Sequence, residues 1–492
     1  MMFTLPIDIL LIFAATTPIV GWIESKLGFK KLCGIYATVG LALSSYALYN
    51  LSMQALQNPI LVPSDVIPSQ SCLRIDALSV FLASIFIFLG FFVAIYSIKY
   101  MEKDSGISLY YALLLAMISG MMGVVFAGDF FTLFVFWELM CITSYVLVAF
   151  RKQHWEPVEA GLKYLVMSSA GSAAILFGLS ILYGLTGTLN FVQLSKTFVL
   201  TSNVWGYVSL VFILTGFGVK AAIFPLHMWL PDAHPAAPTS ISALLSGIVI
   251  KTGIYAIIRS LFLIYFPINF SWQTALMVIS IMTMCFGNLA ALLQDDIKRL
   301  LAYSSIAQIG YIFFAISVAV TQTDVTIISY SLTAALLHVM NHAVMKGLLF
   351  LCAGAFIYKA GTRSLRELAG IGHKMPITAT MFTVGALAIS GIPPLNGFVS
   401  EFMIASSGIN SGMLVPTAIL LVNFLLSFAY YLRLIKIIVW SVPSKKLEKT
   451  NEAPILMLFP ILFLALLCII IGLYPNPFID MANKAAWSLL KY

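Results

Sequence analysis

Charged residues are scarce in this chain. Only 9% of its 492 residues are Asp, Glu, Lys or Arg, and 61% are hydrophobic, whereas soluble domains carry about 25% charged residues. This scarcity excludes an ordinary soluble domain and predicts an all-α polytopic membrane protein. The net charge of +8 then reflects Lys and Arg in loops on one membrane face, so we expect no nucleic-acid partner.

Clustered cysteines are also missing. The six cysteines are dispersed along the chain, and no two of them have CxxC spacing. Structural zinc and iron–sulfur sites use closely spaced cysteines. We therefore expect this chain to hold no metal and no redox cofactor of its own.

Apolar segments dominate what is present. Fourteen of them reach the length of about 20 residues that a membrane-spanning helix needs. The only sizeable polar gap, at residues 51–76, is predicted to be a loop without an independent domain. The fourteen segments cover roughly residues 5–23, 32–50, 77–98, 108–127, 130–150, 158–183, 205–224, 238–263, 271–293, 299–320, 325–358, 376–408, 413–440 and 454–474.

Prolines interrupt two of these segments in a related way. One break falls at Pro225, and the other at Pro393 and Pro394. Proline removes a backbone donor, and in lipid a broken helix survives only inside protein or beside water. Paired breaks in two halves of a chain indicate inverted repeats with a transport site near the membrane midplane.

The basic residues predict the orientation of the chain. Sixteen Lys and Arg residues fall in the odd-numbered loops, against five in the even-numbered loops and the tail. Because such residues collect on the cytoplasmic side, we expect a multi-pass protein of the plasma (inner) membrane with both termini outside the cytoplasm.

Ionisable residues recur inside the apolar segments. Each charge at the centre of a spanning helix costs roughly 2.5 to 3.5 kcal/mol, so such residues are expected to have a use. A row of Lys, His and carboxylate groups suits proton transfer, since burial and partners move their pKa values toward neutrality. The candidates for proton transfer are Glu138, Lys163, Lys220, Lys251, His338, His342, Lys346 and Glu401.

Three polar residues beside the first break are candidates for access or gating: His227, Asp232 and His234. Each of them can instead cap the break. A purely structural role is also open for the proton-transfer candidates, because intramembrane ion pairs can simply hold helices together. Lys163 lies near the start of its segment, so its aliphatic side chain can extend and place the ammonium group at the membrane surface.

Several stretches resemble one known family. FPLHMWLPDAHPAAPTSISALLSGIVIKTGIYAIIR, the Trp137-Glu138 pair, QDDIKRLLAYSSIAQIGY and HVMNHAVMKGLLFLCAG are similar to the antiporter-like subunits of complex I. The large Mrp antiporter subunits and those of membrane-bound hydrogenases belong to the same family. The resemblance covers about residues 76–436. It implies a fourteen-helix core with two inverted five-helix repeats, in which helices 7 and 12 are broken.

The resemblance also implies a division of the chain. Residues 1–107 would form helices 1–3, and residues 108–263 the first inverted repeat. Residues 271–440 would form the second repeat, and residues 441–492 the final helix and a short tail.

Site roles follow from the same resemblance. Glu138 matches the family glutamate of helix 5, Lys220 its presumed partner on the broken helix 7, and Lys251 the central lysine of helix 8. On helix 11 the matching residues are His338, His342 and Lys346, which are spaced four apart and share one face. Glu401 matches a helix 12 position that is lysine in many members and glutamate in one complex I subunit type.

The function implied is that of a proton-translocating membrane subunit in a redox-driven, complex I-type oxidoreductase with a quinone or quinone-like acceptor. The chain itself would not catalyse the redox step. Iron–sulfur clusters and flavin or nickel would lie in partner subunits, namely other membrane subunits and a peripheral redox arm. Three alternatives stay open: a Mrp-type sodium/proton antiporter subunit, a membrane subunit of an energy-converting hydrogenase, and a structural subunit with vestigial charges.

Overall fold

A computed structural model describes residues 3–28, 31–63, 71–197, 204–265 and 272–490. Within these ranges the chain forms nineteen α-helices and one two-stranded sheet. The elements are α1 (Leu5–Leu27), α2 (Leu32–Ala55), β1 (Ile60–Pro63), β2 (Ser71–Ile75), α3 (Ala77–Tyr100), α4 (Ile107–Phe126), α5 (Phe130–Val148), α6 (Trp155–Thr186), α7 (Phe191–Thr197), α8 (Val204–Ala221), α9 (Leu230–Ala236), α10 (Thr239–Leu244), α11 (Ile250–Ser260), α12 (Trp272–Leu292), α13 (Ile297–Thr321), α14 (Val325–Ala360), α15 (Pro376–Ile389), α16 (Asn396–Asn410), α17 (Leu414–Ile435), α18 (Ile455–Leu473) and α19 (Asn476–Leu490).

Thirteen helical segments in the described ranges are long and apolar enough to cross a membrane. The predicted all-α, multi-pass class is therefore confirmed. The twelfth predicted segment is not among the thirteen, because it consists of two helices, α15 with 14 residues and α16 with 15. These two helices together correspond to that twelfth segment, which with the other thirteen makes the predicted fourteen.

The first break lies between α8 and α9, where the sequence predicted it. Ala222 has a positive φ of 56°, and the Phe224–Pro225 peptide bond is cis. The indole Nε1 of Trp229 donates to the carbonyl of Val219 at 2.7 Å. The Trp229 side chain thus hydrogen-bonds the Val219 carbonyl, which lacks its usual backbone partner because the helix is interrupted.

The second break lies between α15 and α16, again at the predicted prolines. The Pro393–Pro394 bond is cis, and Gly391 has a φ of 70°. The Asn341 amide donates to the carbonyl of Asn396 at 2.8 Å. Both interruptions are therefore lined by polar protein groups, as broken helices in a membrane require.

The 36-residue helix α14 lies at the centre of the second half. It packs against α3, α13, α15, α16, α18 and α19. Every residue from Ser331 to Phe356 is buried. Polar side chains on this helix are consequently held in protein surroundings, away from lipid.

Glycine brings α11 close to α8. A Cβ built at Gly253 would lie 2.6 Å from the Ala221 nitrogen and 2.9 Å from the Phe217 oxygen. Small residues allow this kind of close helix approach in membranes. The contact places the helix that carries Lys251 against the end of the helix that carries Lys220.

The β1–β2 hairpin and helix α19 were not predicted. β1 and β2 pair antiparallel, with Ile60 opposite Ile75, inside the stretch predicted to be a loop; residues 64–70 of that stretch lie outside the described ranges. Helix α19 packs on α3 and α14 but has only 15 residues, too few for a spanning-helix signal. The inverted repeats and the division of the chain stay predictions.

Candidate functional site

Lys251 lies at the start of α11, directly after a π-helical turn, Leu245–Val249. Its Nζ is 2.5 Å from His342 Nδ1 and donates to the carbonyl of Ser246 at 2.6 Å. Single π turns inside helices are frequent at functional sites. When the lysine is protonated, Nδ1 of His342 is the acceptor and the ring proton sits on Nε2. That Nε2 is buried without a hydrogen-bond partner in the described part of the chain.

His338 lies one turn before His342 on α14, and the two ring centroids are 6.2 Å apart. Its Nδ1 is 2.9 Å from Ser400 Oγ, and its Nε2 is 2.6 Å from Gln308 Oε1. Both ring nitrogens are therefore engaged, which fixes the ring orientation. The hydrogen-bond contacts of His338 lead toward the second break.

Glu401 lies on α16, just beyond that break, and is buried. Its carboxylate lies near the Gln308 amide, and Oε2 would be 2.2 Å from a Cβ placed on Gly391. Oε1 is buried without a partner among the described residues. Gln308 thus bonds to His338 and lies near Glu401. We call the resulting set the central row: Lys251, His342, His338, Gln308 and Glu401.

Lys346 forms a branch beside this row. It is fully buried on α14, four residues after His342. Its Nζ donates to the Leu301 carbonyl at 2.9 Å and to the Tyr431 hydroxyl at 3.2 Å. The Tyr431 hydroxyl is also 2.7 Å from Ser304 Oγ, so a chain of hydroxyl groups extends from this lysine.

Lys220 is buried at the end of α8. Its Nζ donates to the Tyr164 hydroxyl at 2.7 Å and to Ser144 Oγ at 3.4 Å. The ammonium also lies 4.6 Å from the Tyr164 ring centroid and 5.9 Å from that of Trp229. Aromatic faces and hydroxyls stabilise a cation that has left water.

Glu138 accepts a short hydrogen bond from Ser172 Oγ and is half-buried. It was expected to pair with Lys220. Lys220 instead makes its hydrogen bonds to hydroxyl groups, and Cys141, one turn after Glu138, lies beside both charged groups. The two residues therefore share one neighbourhood without forming an ion pair in the described part of the chain.

Lys163 and Asp232 come together, but not with the central row. Lys163 Nζ is 3.2 Å from Asp232 Oδ2 and 2.9 Å from Glu159 Oε1, and half of its side chain is exposed. Arg299 also approaches Asp232, at 3.4 Å. These side chains line a polar cavity of about 250 Å³ at the starts of α6 and α13.

His227 and His234 are buried against aromatic rings. The His227 ring is 4.6 Å from that of Phe286, and the His234 ring is 4.7 Å from that of Phe350. Within the described ranges, no ring nitrogen of either histidine has a hydrogen-bond partner. Neither side chain caps the break, so the capping alternative does not apply to them.

Two polar residues on α13, Lys298 and Gln308, were not among the predicted site residues. Lys298 was assigned to a loop, yet its side chain is only 3% exposed and donates to the Ala237 carbonyl at 2.6 Å. Gln308 was not singled out at all. Lys298, Ser305 and Gln308 recur at intervals of seven and three residues, which places them on one helix face. That polar stripe was the available signal.

Comparison with known proteins gives a consistent result. A family model described as "NADH:quinone oxidoreductase/Mrp antiporter, TM" matches residues 127–427. A second, described as "NADH-Ubiquinone oxidoreductase (complex I), chain 5 N-terminus", matches residues 65–111. The first match alone covers more than half of the chain and includes all the candidate site residues.

Two curated relatives are similar over most of their length. F(420)H(2) dehydrogenase subunit N of Methanosarcina mazei is 34% identical over 479 residues, covering 95% of this chain and 94% of the relative. NADH-quinone oxidoreductase subunit N of Desulfitobacterium hafniense is 35% identical over 396 residues, covering 78% of this chain and 79% of the relative.

A solved structure is similar over nearly the whole chain. It is a subunit of a membrane-bound sulfane sulfur reductase, described as an archaeal respiratory membrane complex. The similarity has a TM-score of 0.88 with 30% sequence identity, and covers 99% of this chain and 97% of that one. Fold and sequence therefore point to the same group of proteins.

Proposed function

Because the chain belongs to the family of NADH:quinone oxidoreductase and Mrp antiporter membrane subunits, we propose that it translocates protons as a membrane subunit of a redox-driven complex. The observation that carries this proposal is the central row, in which five polar side chains lie in succession inside a buried helical core. Ionisable groups in such surroundings are costly and are therefore expected to serve transport.

The chemistry of the row begins at Lys251. Its ammonium can pass a proton to Nδ1 of His342, since the two nitrogens are within hydrogen-bond distance. An imidazole that gains a proton at Nδ1 can lose the other from Nε2. His342 can therefore carry a proton through its ring toward His338.

The next step runs from His338 to Glu401. The Gln308 amide does not ionise, so its role is to hold the imidazole and the carboxylate side by side. Transfer between them then requires a bridging water, which is a common arrangement in polar sites. The direction of net movement depends on which end is loaded.

A proton needs access to the row from one side of the membrane. We propose that it enters through the polar cavity lined by Glu159, Lys163, Asp232 and Arg299. Lys298 donates to the carbonyl of Pro235, which also lines this cavity. In the predicted orientation this is the cytoplasmic side of a plasma-membrane protein whose two termini lie outside.

An external energy source is required. Moving one charge against a membrane potential costs about 2.3 kcal/mol per 100 mV, and proton relay groups alone supply no such energy. The names of the two curated relatives are those of dehydrogenase and oxidoreductase subunits. We propose that iron–sulfur clusters with flavin or nickel, and the quinone-like acceptor, belong to a peripheral arm and to other membrane subunits.

Purification tests this proposal. The tagged full-length chain is extracted gently from native membranes, and the co-purifying chains are identified by mass spectrometry with assays for iron, flavin and nickel. We expect stoichiometric redox subunits and bound iron. A tagged, unrelated membrane protein from the same cells serves as the control. Recovery of hydrophobic subunits alone, without iron, would contradict the redox-driven proposal.

A second candidate is a Mrp-type sodium/proton antiporter, because the matching family model is shared with Mrp subunits. An antiporter is driven by ion gradients and needs no electron carrier. Vesicles that contain the purified complex separate the two. A pH change triggered by sodium alone supports the antiporter, while a pH change that requires electron transfer supports the redox-driven pump.

A further inference from the structure

A second charged cluster lies at the opposite end of the helix that carries Lys251. Tyr255 and Arg259 follow Lys251 at intervals of four residues on α11, so the three side chains share one helix face. All three are buried. The face extends about 12 Å along the helix axis, at about 1.5 Å per residue.

This face ends on a buried carboxylate. Arg259 donates from one nitrogen to both oxygens of Asp76, at 2.6 Å each. Asp76 is the N-cap of α3 and accepts from the Ser79 nitrogen at 3.0 Å. Arg74 Nε donates to the same carboxylate at 3.3 Å. The carboxylate is fully buried between elements that are far apart in sequence.

Tyr255 stands between the lysine and the ion pair. Its hydroxyl accepts from Arg259 Nε at 3.1 Å and donates to the Val125 carbonyl at 2.9 Å. A hydroxyl group can accept one proton and hand on another. Tyr255 is about 6 Å along the axis from Lys251, so a proton passing between them requires a bridging water.

We propose that Asp76 is the outward proton-releasing group of the Lys251 face, with Tyr255 as the intermediate hydroxyl and Arg259 as the residue that positions the carboxylate. This inference rests on the proposed proton-translocating function. In the predicted orientation, Asp76 and Arg259 lie toward the outer side of the membrane.

The balance of the step is simple. The Lys251 ammonium loses one proton and becomes an amine, and the Asp76 carboxylate gains one and becomes a carboxylic acid. The acid then gives the proton to the outer solution and returns to the carboxylate. Arg259 keeps its own proton throughout, as arginine does in proteins.

The surroundings of Asp76 favour release over storage. Burial alone raises the pKa of this carboxyl, but Arg259 and Arg74 more than offset that effect and hold its pKa below the ordinary value. A proton on Asp76 is therefore held only briefly. Burial and the neighbouring Arg259 lower the pKa of Arg74 to about 10, so Arg74 still carries its charge at neutral pH.

Two variants test the assignment in the purified complex, reconstituted in vesicles with a pH-sensitive dye inside. Tyr255→Phe keeps the packing and removes the hydroxyl. The double variant Asp76→Asn with Arg259→Gln replaces the releasing carboxylate and its ion-pair partner with neutral amides. We expect the electron-transfer rate to stay within about twofold of wild type and the melting temperature within a few degrees. Proton translocation should fall on the order of tenfold.

The matched control is Asp324→Asn, which removes a helix-capping carboxylate on α14 away from this face, and we expect it to pump normally. If Tyr255→Phe and the double variant pump like wild type, the assignment is overturned while the proposed function stands. If wild type itself moves no protons during electron transfer, the proposed function fails instead. Should the double variant not assemble, normal pumping by Tyr255→Phe still contradicts the proposal.

Discussion

Gln308 lies between His338 and Glu401 in the central row. Its Oε1 lies 2.6 Å from His338 Nε2, and its amide is a neighbour of Glu401. An amide supplies both a donor and an acceptor without carrying charge. It can therefore hold an imidazole and a carboxylate in fixed positions without competing for the proton.

Replacing this amide should separate the two groups. In Gln308→Leu, the buried His338 nitrogen loses its partner, which costs about 1 to 3 kcal/mol. We expect lower thermal stability of the complex and proton translocation reduced several-fold, measured in reconstituted vesicles. Gln294→Leu is the control, because the Gln294 amide donates to the Ala290 carbonyl near the end of α12. Equal effects of the two changes would argue against a role for Gln308.

Tyr164 has a comparable position in the first half of the chain. Its hydroxyl accepts from Lys220 Nζ at 2.7 Å, and a hydrogen bond to a charged group contributes about 1.5 to 3 kcal/mol. Tyr164→Phe should lower stability by an amount in that range and slow proton translocation, because it loosens the lysine. Chemical unfolding and dye-based pumping assays measure the two effects. Tyr183→Phe, at an exposed site, should change neither.

At the scale of elements, the second break depends on the absence of a side chain at Gly391. Its φ of 70° is in the left-handed region, and a Cβ would lie 2.2 Å from Glu401 Oε2. The break and the carboxylate therefore constrain each other. A glycine here serves both the turn and the close approach of helix α16, which carries Glu401.

We therefore expect alanine to have different effects at Gly391 and at Gly412. Gly391→Ala should cost about 1 to 2 kcal/mol for the backbone and also displace the Glu401 carboxylate, so proton translocation should fall. Gly412→Ala has a similar φ of 76° but no atom within 4 Å of the added Cβ. It should cost stability alone. If both variants pump equally well, the close contact has no functional weight.

Local signals account for what the sequence could predict. Each spanning helix is marked by its own apolar run, and each break by its own prolines, so fourteen segments and two interruptions could be read without tertiary information. The i, i+4 spacing of His338 and His342 likewise needs only the helix period. These features can be predicted from sequence because each depends on a single helix or on a single break.

Contacts between elements could not be predicted in the same way. Lys163 meets Asp232 across 69 positions of sequence, and Lys220 bonds to Tyr164 although Glu138 was the expected partner. The inward turn of Lys298 depends on where α9 ends, since its targets are the carbonyls of Pro235 and Ala237. Helix packing, rather than local pattern, decides each of these.

For the whole molecule, the two halves of the charged row meet where α8 packs against α11. Lys220 keeps hydroxyl partners on one side of this contact, and Lys251 keeps His342 on the other. Two unit charges 10 Å apart interact by about 1.7 kcal/mol at an effective dielectric constant of 20. Loading a proton in one half can therefore alter proton affinity in the other without a direct bond.

The most direct test is the number of protons moved per electron transferred by the purified complex in sealed vesicles, compared between wild type and Lys251→Met. Methionine keeps the length of the side chain and removes a buried charge, so the variant should assemble. Lys436→Met, at an exposed helix end, is the control. We predict that Lys251→Met lowers the proton-to-electron ratio while the control leaves it unchanged. An unchanged ratio in Lys251→Met would contradict the proton path described above.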